Sequence, residues 1–404
     1  MPIYPERWKS QFDRYKENRP RRMLALDGGG IRGLITLGIL QKIETLIQQE
    51  TGLQLCEYFD YVGGTSTGAI IAASLARGMT TSDLIKFYQD YGREMFDPSA
   101  LIERYKYLHT ADPLVQQLQQ AFGATTTLDP NDLKCLLLVV TKNVTTDSAW
   151  PVSSNPDAKY NDPARIDNNL KVPLWKLVRA STAAPVYFPA EVMTWDPSNP
   201  AKAAVFVDGG MTPYNNPAFL LYRMATEPAY RLNWTKGEKN LLLISVGTGA
   251  AESLGATAAA PNKNIVSTVA GLPGALMYAM QVDQDIVCRT VGRCTHGAAL
   301  DRELMDLVPR SLQDGMTFRE SFAAARIPIE QDLGRNFLYA RYNADLSRSG
   351  LDALGFPNVD PDNIQKMDCP DNIPMLLKIG QAASAEVLSE HFGSFLTPDS
   401  WRKG

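Results

Sequence analysis

The sequence predicts an α/β fold built on a mostly parallel sheet, and three kinds of stretch carry that expectation. Arg22–Asp27 is a compact apolar strand that runs through Gly28-Gly29-Gly30-Ile31-Arg32-Gly33 straight into a helix. Asp60–Ala69 repeats the plan: a short apolar strand, a tight turn at Ser66 and a helix of small residues. Cys135–Thr141 and Leu241–Val246 are continuous apolar runs, as strands covered by helices on both faces require. Strands alternating with helical periodicity in this way form parallel sheets.

Taken in order, residues 1–21 are polar and charged and read as an N-terminal arm or short lead-in helix. In the first helix Ile31, Leu34, Ile35, Ile39, Ile43, Leu46 and Ile47 recur every three or four residues, and Gly52 stops it. Thr67–Arg77 is rich in alanine, which suits close packing under a sheet, and Ser82–Phe96 is amphipathic with Pro98 just beyond it. Residues 142–170, rich in Asn, Asp, Pro and Ser, read as a long surface excursion. A helix from Val172 follows, then a strand Ala204–Val207 that delivers Asp208-Gly209-Gly210, and a helix from Ala218 to Met224. The core is expected to span 22–250 and residues 251–404 to form a mostly helical extension packed on it. Within the extension, 265–292 is expected to be a helix or helix pair whose apolar face, with Met277, Tyr278, Met280 and Val282, packs on the core or forms a lipid-facing lid. A closing helix is expected over Asn372–Phe392.

Composition narrows the function. The chain has 404 residues, 45% of them hydrophobic and 21% charged, with a formal net charge of -4, so a nucleic-acid polymer is not an expected partner. No run of 18 apolar residues reads as a membrane span, and Met-Pro-Ile-Tyr-Pro-Glu-Arg has no apolar stretch of a secretory signal. The five cysteines show neither C-x-x-C spacing nor a disulfide framework, which fits a reducing cytosol.

Three stretches carry candidate chemistry. Gly64-Thr65-Ser66-Thr67-Gly68 has the G-x-S-x-G spacing of a nucleophile elbow, where a strained strand-to-helix turn lifts the serine oxygen clear of the backbone. The Gly28–Gly30 loop at a helix start aims backbone N–H groups at an anion, either a phosphate or the oxyanion of ester cleavage. A P-loop is excluded because no G-x-x-x-x-G-K-[ST] occurs; G-x-G-x-x-G is formally present, but no acid stands at the end of a second strand about 20 residues on. Asp208, at a strand end, is a candidate base for Ser66. The order Ser66, Asp208, His296 would also satisfy a conventional triad, with His109 and His391 as the other histidines.

Asp27–Gly33, Gly64–Gly68 and Asp208–Gly210, with Ala180–Pro189 and Ser245–Gly249, resemble the signatures of the patatin-like phospholipase family in order and spacing. The resemblance implies a three-layer α/β/α fold and a calcium-independent lipid acyl hydrolase without a cofactor or metal, using a Ser66–Asp208 dyad. Gly28, Gly29, Gly30 and Thr67 would form the oxyanion hole, with Arg32, Gly64, Gly68 and Gly209 in support. Arg32 could also hold a lipid phosphate or face solvent, and Asp27 would buttress the loop. The expected partner is a phospholipid or other glycerolipid at a membrane surface, with the protein in the cytoplasm or at the membrane periphery. A small-molecule activator is a further expectation at family level. The alternatives are acyl transfer, lipid binding without catalysis, and nucleotide binding at Gly28–Gly30.

Overall fold

The apolar runs of the sequence pair with one another along their length. The computed structural model describes residues 14–96, 113–185, 188–196, 198–251, 265–297 and 334–397. Its strands are β1 (Arg21–Leu26), β2 (Tyr61–Thr65), β3 (Leu136–Asn143), β4 (Ser148–Ser153), β5 (Glu191–Thr194), β6 (Ala203–Asp208), β7 (Leu241–Val246), β8 (Arg293–His296) and β9 (Leu338–Tyr342). Among the described residues, the α-helices of eight or more residues are α1 (Gly33–Thr51), α2 (Thr67–Arg77), α3 (Thr81–Phe96), α4 (Pro113–Phe122), α5 (Leu174–Ser181), α6 (Ala218–Thr226), α7 (Ile265–Val291) and α8 (Ile373–Ala383). All the strands join one sheet in the order β5-β6-β3-β2-β1-β7-β9-β8, with β4 on β3. The centre from β3 to β8 is parallel, while β4, β5 and β6 run antiparallel to their neighbours.

Strand side chains alternate between faces, so each strand feeds two cores. Leu24 and Leu26 of β1 join Leu137, Val139, Leu242 and Ile244 beneath α1, α2, α3 and α5. Met23 and Ala25 join Leu136, Leu138, Leu241 and Leu243 on the opposite face, beneath α6. The result is the expected three-layer α/β/α arrangement around a mostly parallel sheet. No helix among the described residues is long and apolar enough to cross a membrane.

Several local expectations change. The stretch 142–170 is not all surface excursion, because β4 folds back on β3 from Leu138↔Ser153 to Asn143↔Ser148. Arg293–His296 forms the edge strand β8, and the closing helix expected over Asn372–Phe392 ends at Ala383 before 3-10 turns. The expected boundary at residue 250 falls inside the sheet: β9 comes from the C-terminal part and pairs with β7 from Leu242↔Leu338 to Val246↔Tyr342. The C-terminal part also supplies α8, which packs on α1 where Gly38 and Gly380 bring the two backbones together. A methyl on Gly380 would lie 2.4 Å from the Ile35 carbonyl oxygen. At the other end of β1, residues 14–20 pack on the core: Tyr15 is buried, its carbonyl accepts from Trp234 Nε1 at 3.0 Å, and Arg19 pairs with buried Asp60.

Candidate active site

Strand β3 brings the two candidate loops together. Its residue Val140 pairs with Thr65, immediately before Ser66, and the next residue, Thr141, pairs with Asp208. Two neighbouring positions on one strand therefore fix two loops 142 residues apart, and Ser66 Oγ donates to Asp208 Oδ2 at 2.6 Å. The other carboxylate oxygen accepts the Gly210 N–H at 2.7 Å. Asp208 is buried, and that burial pushes its carboxyl up to about 6 against the two hydrogen bonds. A carboxyl poised there is ionised at neutral pH yet basic enough to take a hydroxyl proton.

Ser66 itself has φ 55° and ψ -124°, outside helix and strand regions, and it immediately precedes α2. Such backbone costs on the order of 1–3 kcal/mol and persists only where the surroundings enforce it. Three contacts do so. The Ser66 N–H donates to Ser181 Oγ at 2.9 Å, and that hydroxyl donates to the Val140 carbonyl at 2.6 Å. Thr65 Oγ1 donates to the Tyr214 carbonyl at 2.7 Å, tying the elbow to the loop that follows Asp208. Gly64 lies flat on the start of α2, where a methyl would stand 2.1 Å from the Gly68 carbonyl oxygen. Gly68 in turn rests on the Leu26 carbonyl, and Gly209 on that of Val140.

The glycine loop sits beside the elbow, since a methyl on Gly28 would come 3.2 Å from Ser66 Cβ. Its N–H groups are not equivalent. Gly28 N–H donates to the Asn215 carbonyl at 3.1 Å and Ile31 N–H to the Met367 carbonyl at 2.9 Å. No hydrogen bond among the described residues engages Gly29 or Gly30 N–H. Gly28 N–H, expected as an oxyanion donor, is thus committed elsewhere. Thr67 N–H stands just after Ser66, whose carbonyl accepts from Ala69 and Ile70.

Arg32 does not face solvent but lies against the glycine loop. It is buried, with Nη1 donating to the Gly249 carbonyl at 3.3 Å and Nε to that of Gly29 at 3.5 Å, and burial lowers its guanidinium to about 10. Asp27 does buttress the loop: its carboxylate takes a bidentate pair from Arg341 of β9, with Nη1–Oδ1 at 2.8 Å and Nη2–Oδ2 at 2.5 Å. Burial pushes the Asp27 carboxyl up and the guanidinium pulls it back, while the carboxylate holds Arg341 firmly protonated.

The His296 triad does not assemble. β8 lies four strand positions from β2, roughly 20 Å at the usual strand spacing. There His296 stacks on His391 at 4.2 Å between ring centroids. His109 lies outside the described residues. Helix α7 packs on the core, as one of its two expectations had it. Its C-terminal half is anchored by the buried Asp285–Arg289 pair and by Tyr339, while Met277 reaches Gly210 beside Asp208 and Leu276 is 57% exposed. The described residues contain no cluster of three or more His, Cys, Asp or Glu side chains arranged for a metal ion.

The stretch that holds this site is similar to known proteins. The family model for patatin-like phospholipase matches residues 24–222, which hold the glycine loop, Ser66 and Asp208. Residues 24–222 are a patatin-like phospholipase domain. Patatin-17 of Solanum cardiophyllum is 30% identical over 243 residues, 56% of this chain and 60% of that protein. Patatin-T5 and Patatin-15 of Solanum tuberosum are each 29% identical over the same shares. The chain therefore spans 60% of the length of these patatins. Among solved structures, human GIVD cytosolic phospholipase A2 aligns with a TM-score of 0.45 at 10% identity, covering 97% of this chain and 65% of that one. VipD from Legionella pneumophila aligns with a TM-score of 0.37 at 15% identity, covering 93% and 67%.

Signature residues were legible in the sequence of this patatin-like domain, but their supports were not. Ser181 and Thr248 fall in blocks quoted for the resemblance without a role of their own. Asn215 and Arg341 carry no motif, and only the sheet order brings Arg341 to Asp27.

Proposed function

We propose that this protein is a serine lipid acyl hydrolase that cleaves acyl esters of glycerolipids, phospholipids among them, at a membrane surface. The observation that carries the reading is the 2.6 Å hydrogen bond from Ser66 Oγ to the buried carboxylate of Asp208 at a strained elbow. Asp208 takes the hydroxyl proton as Oγ attacks the ester carbonyl, then returns it to the departing alcohol. Gly29, Gly30 and Thr67 N–H groups receive the developing oxyanion; removing one such donor costs about 10²–10³ in turnover. Water, activated by the same carboxylate, then cleaves the acyl-Ser66 ester and regenerates the hydroxyl.

The glycine loop favours this reading over phosphate binding. Two of its N–H groups are already spent on Asn215 and Met367, and the Met367 carbonyl lies against Gly30. A phosphate would meet that carbonyl and the Asp208 carboxylate, whereas a single oxyanion needs only the donors that remain. Pure lipid binding would give no reason to hold Ser66 on the carboxylate in a strained turn.

A fluorophosphonate probe, with lipid release from mixed phospholipid vesicles, tests the proposal. Ser66 is expected to be labelled, and wild type to release fatty acid while Ser66→Ala does neither. An unlabelled Ser66, or unchanged release by Ser66→Ala, overturns the reading.

A further inference from the structure

A trans peptide is planar, so its N–H points away from its own C=O, and whatever holds the carbonyl sets the direction of the amide. The N–H of Gly29 shares a peptide with the carbonyl of Gly28. That carbonyl accepts from Thr248 Oγ1 at 2.9 Å and, less closely, from Asn215 Nδ2 at 3.3 Å. Thr248 is 1% exposed. It lies directly against Gly29: a methyl there would stand 2.2 Å from Thr248 Oγ1 and 2.6 Å from its Cβ. The glycine at 29 is thus required by the threonine packed against it.

Thr248 is itself held on both sides. Gly247 N–H donates to the Tyr342 carbonyl at 2.8 Å and Gly249 N–H to Asn343 Oδ1 at 2.8 Å, so the end of β9 fixes the turn after β7. Its hydroxyl neither touches Ser66 or Asp208 in any hydrogen bond nor reaches solvent, and its one bond goes to the Gly28 carbonyl.

We propose that Thr248 is a positioning residue for ester cleavage, aiming the Gly29 N–H at the oxyanion by holding the Gly28 carbonyl from behind. The proposal rests on the acyl-hydrolase reading above and adds a residue to it. Because the hydroxyl acts only on an amide that meets charge in the transition state, its removal lowers kcat and spares KM.

The test compares Thr248→Val and Thr248→Ser with wild type on a short-chain p-nitrophenyl ester, with an alkyl trifluoromethyl ketone as inhibitor. In the ketone adduct, a bond forms between Ser66 Oγ and the carbonyl carbon, the hydroxyl proton passes to Asp208 and the oxygen becomes the oxyanion. Thr248→Val is expected to lose about tenfold or more in kcat and a similar factor in ketone affinity, with KM and melting temperature near wild type. Thr248→Ser, which keeps the hydroxyl, is expected to restore most of both. A wild-type kcat in Thr248→Val overturns the role. So does a loss in Thr248→Val that appears in KM or melting temperature, or that Thr248→Ser fails to restore, because those mark a packing role. Failure of wild type to react with the fluorophosphonate is a separate result that removes the hydrolase reading and the positioning role together.

Discussion

Asp208 is held between burial, which favours its neutral form, and two hydrogen bonds, which favour its charged form, and burial prevails. The acid limb of kcat is therefore expected to rise with pH through an apparent pKa near 6, as the carboxyl ionises and becomes able to take the Ser66 proton. The same shift has a consequence for stability. A folded-state value near 6 lies above the ordinary 3.8, so between those values the native state holds the proton more tightly than the unfolded chain. Stability attributable to this group falls as pH rises from about 4 to 6 and stays low above that. Asp208→Asn removes the ionisation and is expected to abolish turnover. It is expected to raise unfolding free energy at pH 8 by up to about 3 kcal/mol, with little difference at pH 4. Urea titrations of both proteins at the two pH values check it.

At the scale of elements, two helices and one strand end make separate predictions. Gly380 of α8 meets α1 backbone to backbone, and a methyl there has no room beside the Ile35 carbonyl. Gly380→Ala is expected to destabilise by about 1–3 kcal/mol, read as a lower denaturant midpoint. At the sheet edge, His391 is pushed down to about 4 by its burial and by the neighbouring His296. Tyr342 OH bonds its Nδ1 at 2.9 Å, and Glu386 and Glu390 face the histidine pair. The unfolded chain protonates His391 near 6.5 and the folded one only near 4, so stability is lost as pH falls across that window. His391→Gln, which still offers Tyr342 an acceptor, is expected to flatten the fall in melting temperature between pH 6.5 and 4.

These elements also show what a sequence conceals. Strands β1, β2, β3 and β7 were legible because each is a continuous apolar run, and Ser66 and Asp208 because short motifs mark both. Edge strands β5 and β8 were not, since a strand covered on one side needs no such run, and Arg293-Cys294-Thr295-His296 has none. The carbonyl that occupies Gly28 belongs to Asn215, and nothing local to either residue announces the contact.

Across the whole molecule, the C-terminal part is structural for the site rather than appended to it. Arg341 is the cation for Asp27, and removing it alone leaves a buried carboxylate without a partner. Arg341→Leu is expected to cost about 3–5 kcal/mol, and Asp27→Asn in the same protein to recover much of the loss. Equilibrium unfolding of the two single variants and the double variant measures the coupling. A chain ended at residue 250 lacks β9, and with it the partner that covers the exposed side of β7. It is expected to aggregate on expression rather than yield a soluble esterase.

Asp27 and Arg341 are 314 residues apart, which gives this pair a timetable as well as a place. At roughly 5–20 residues per second, a ribosome needs about 15–60 s to move from one to the other. During that interval the glycine loop has no counter-charge behind it and Thr248 has no β9 to lean on. A nascent chain that already holds Ser66 and Asp208 therefore still lacks the guanidinium that braces Asp27 beside them.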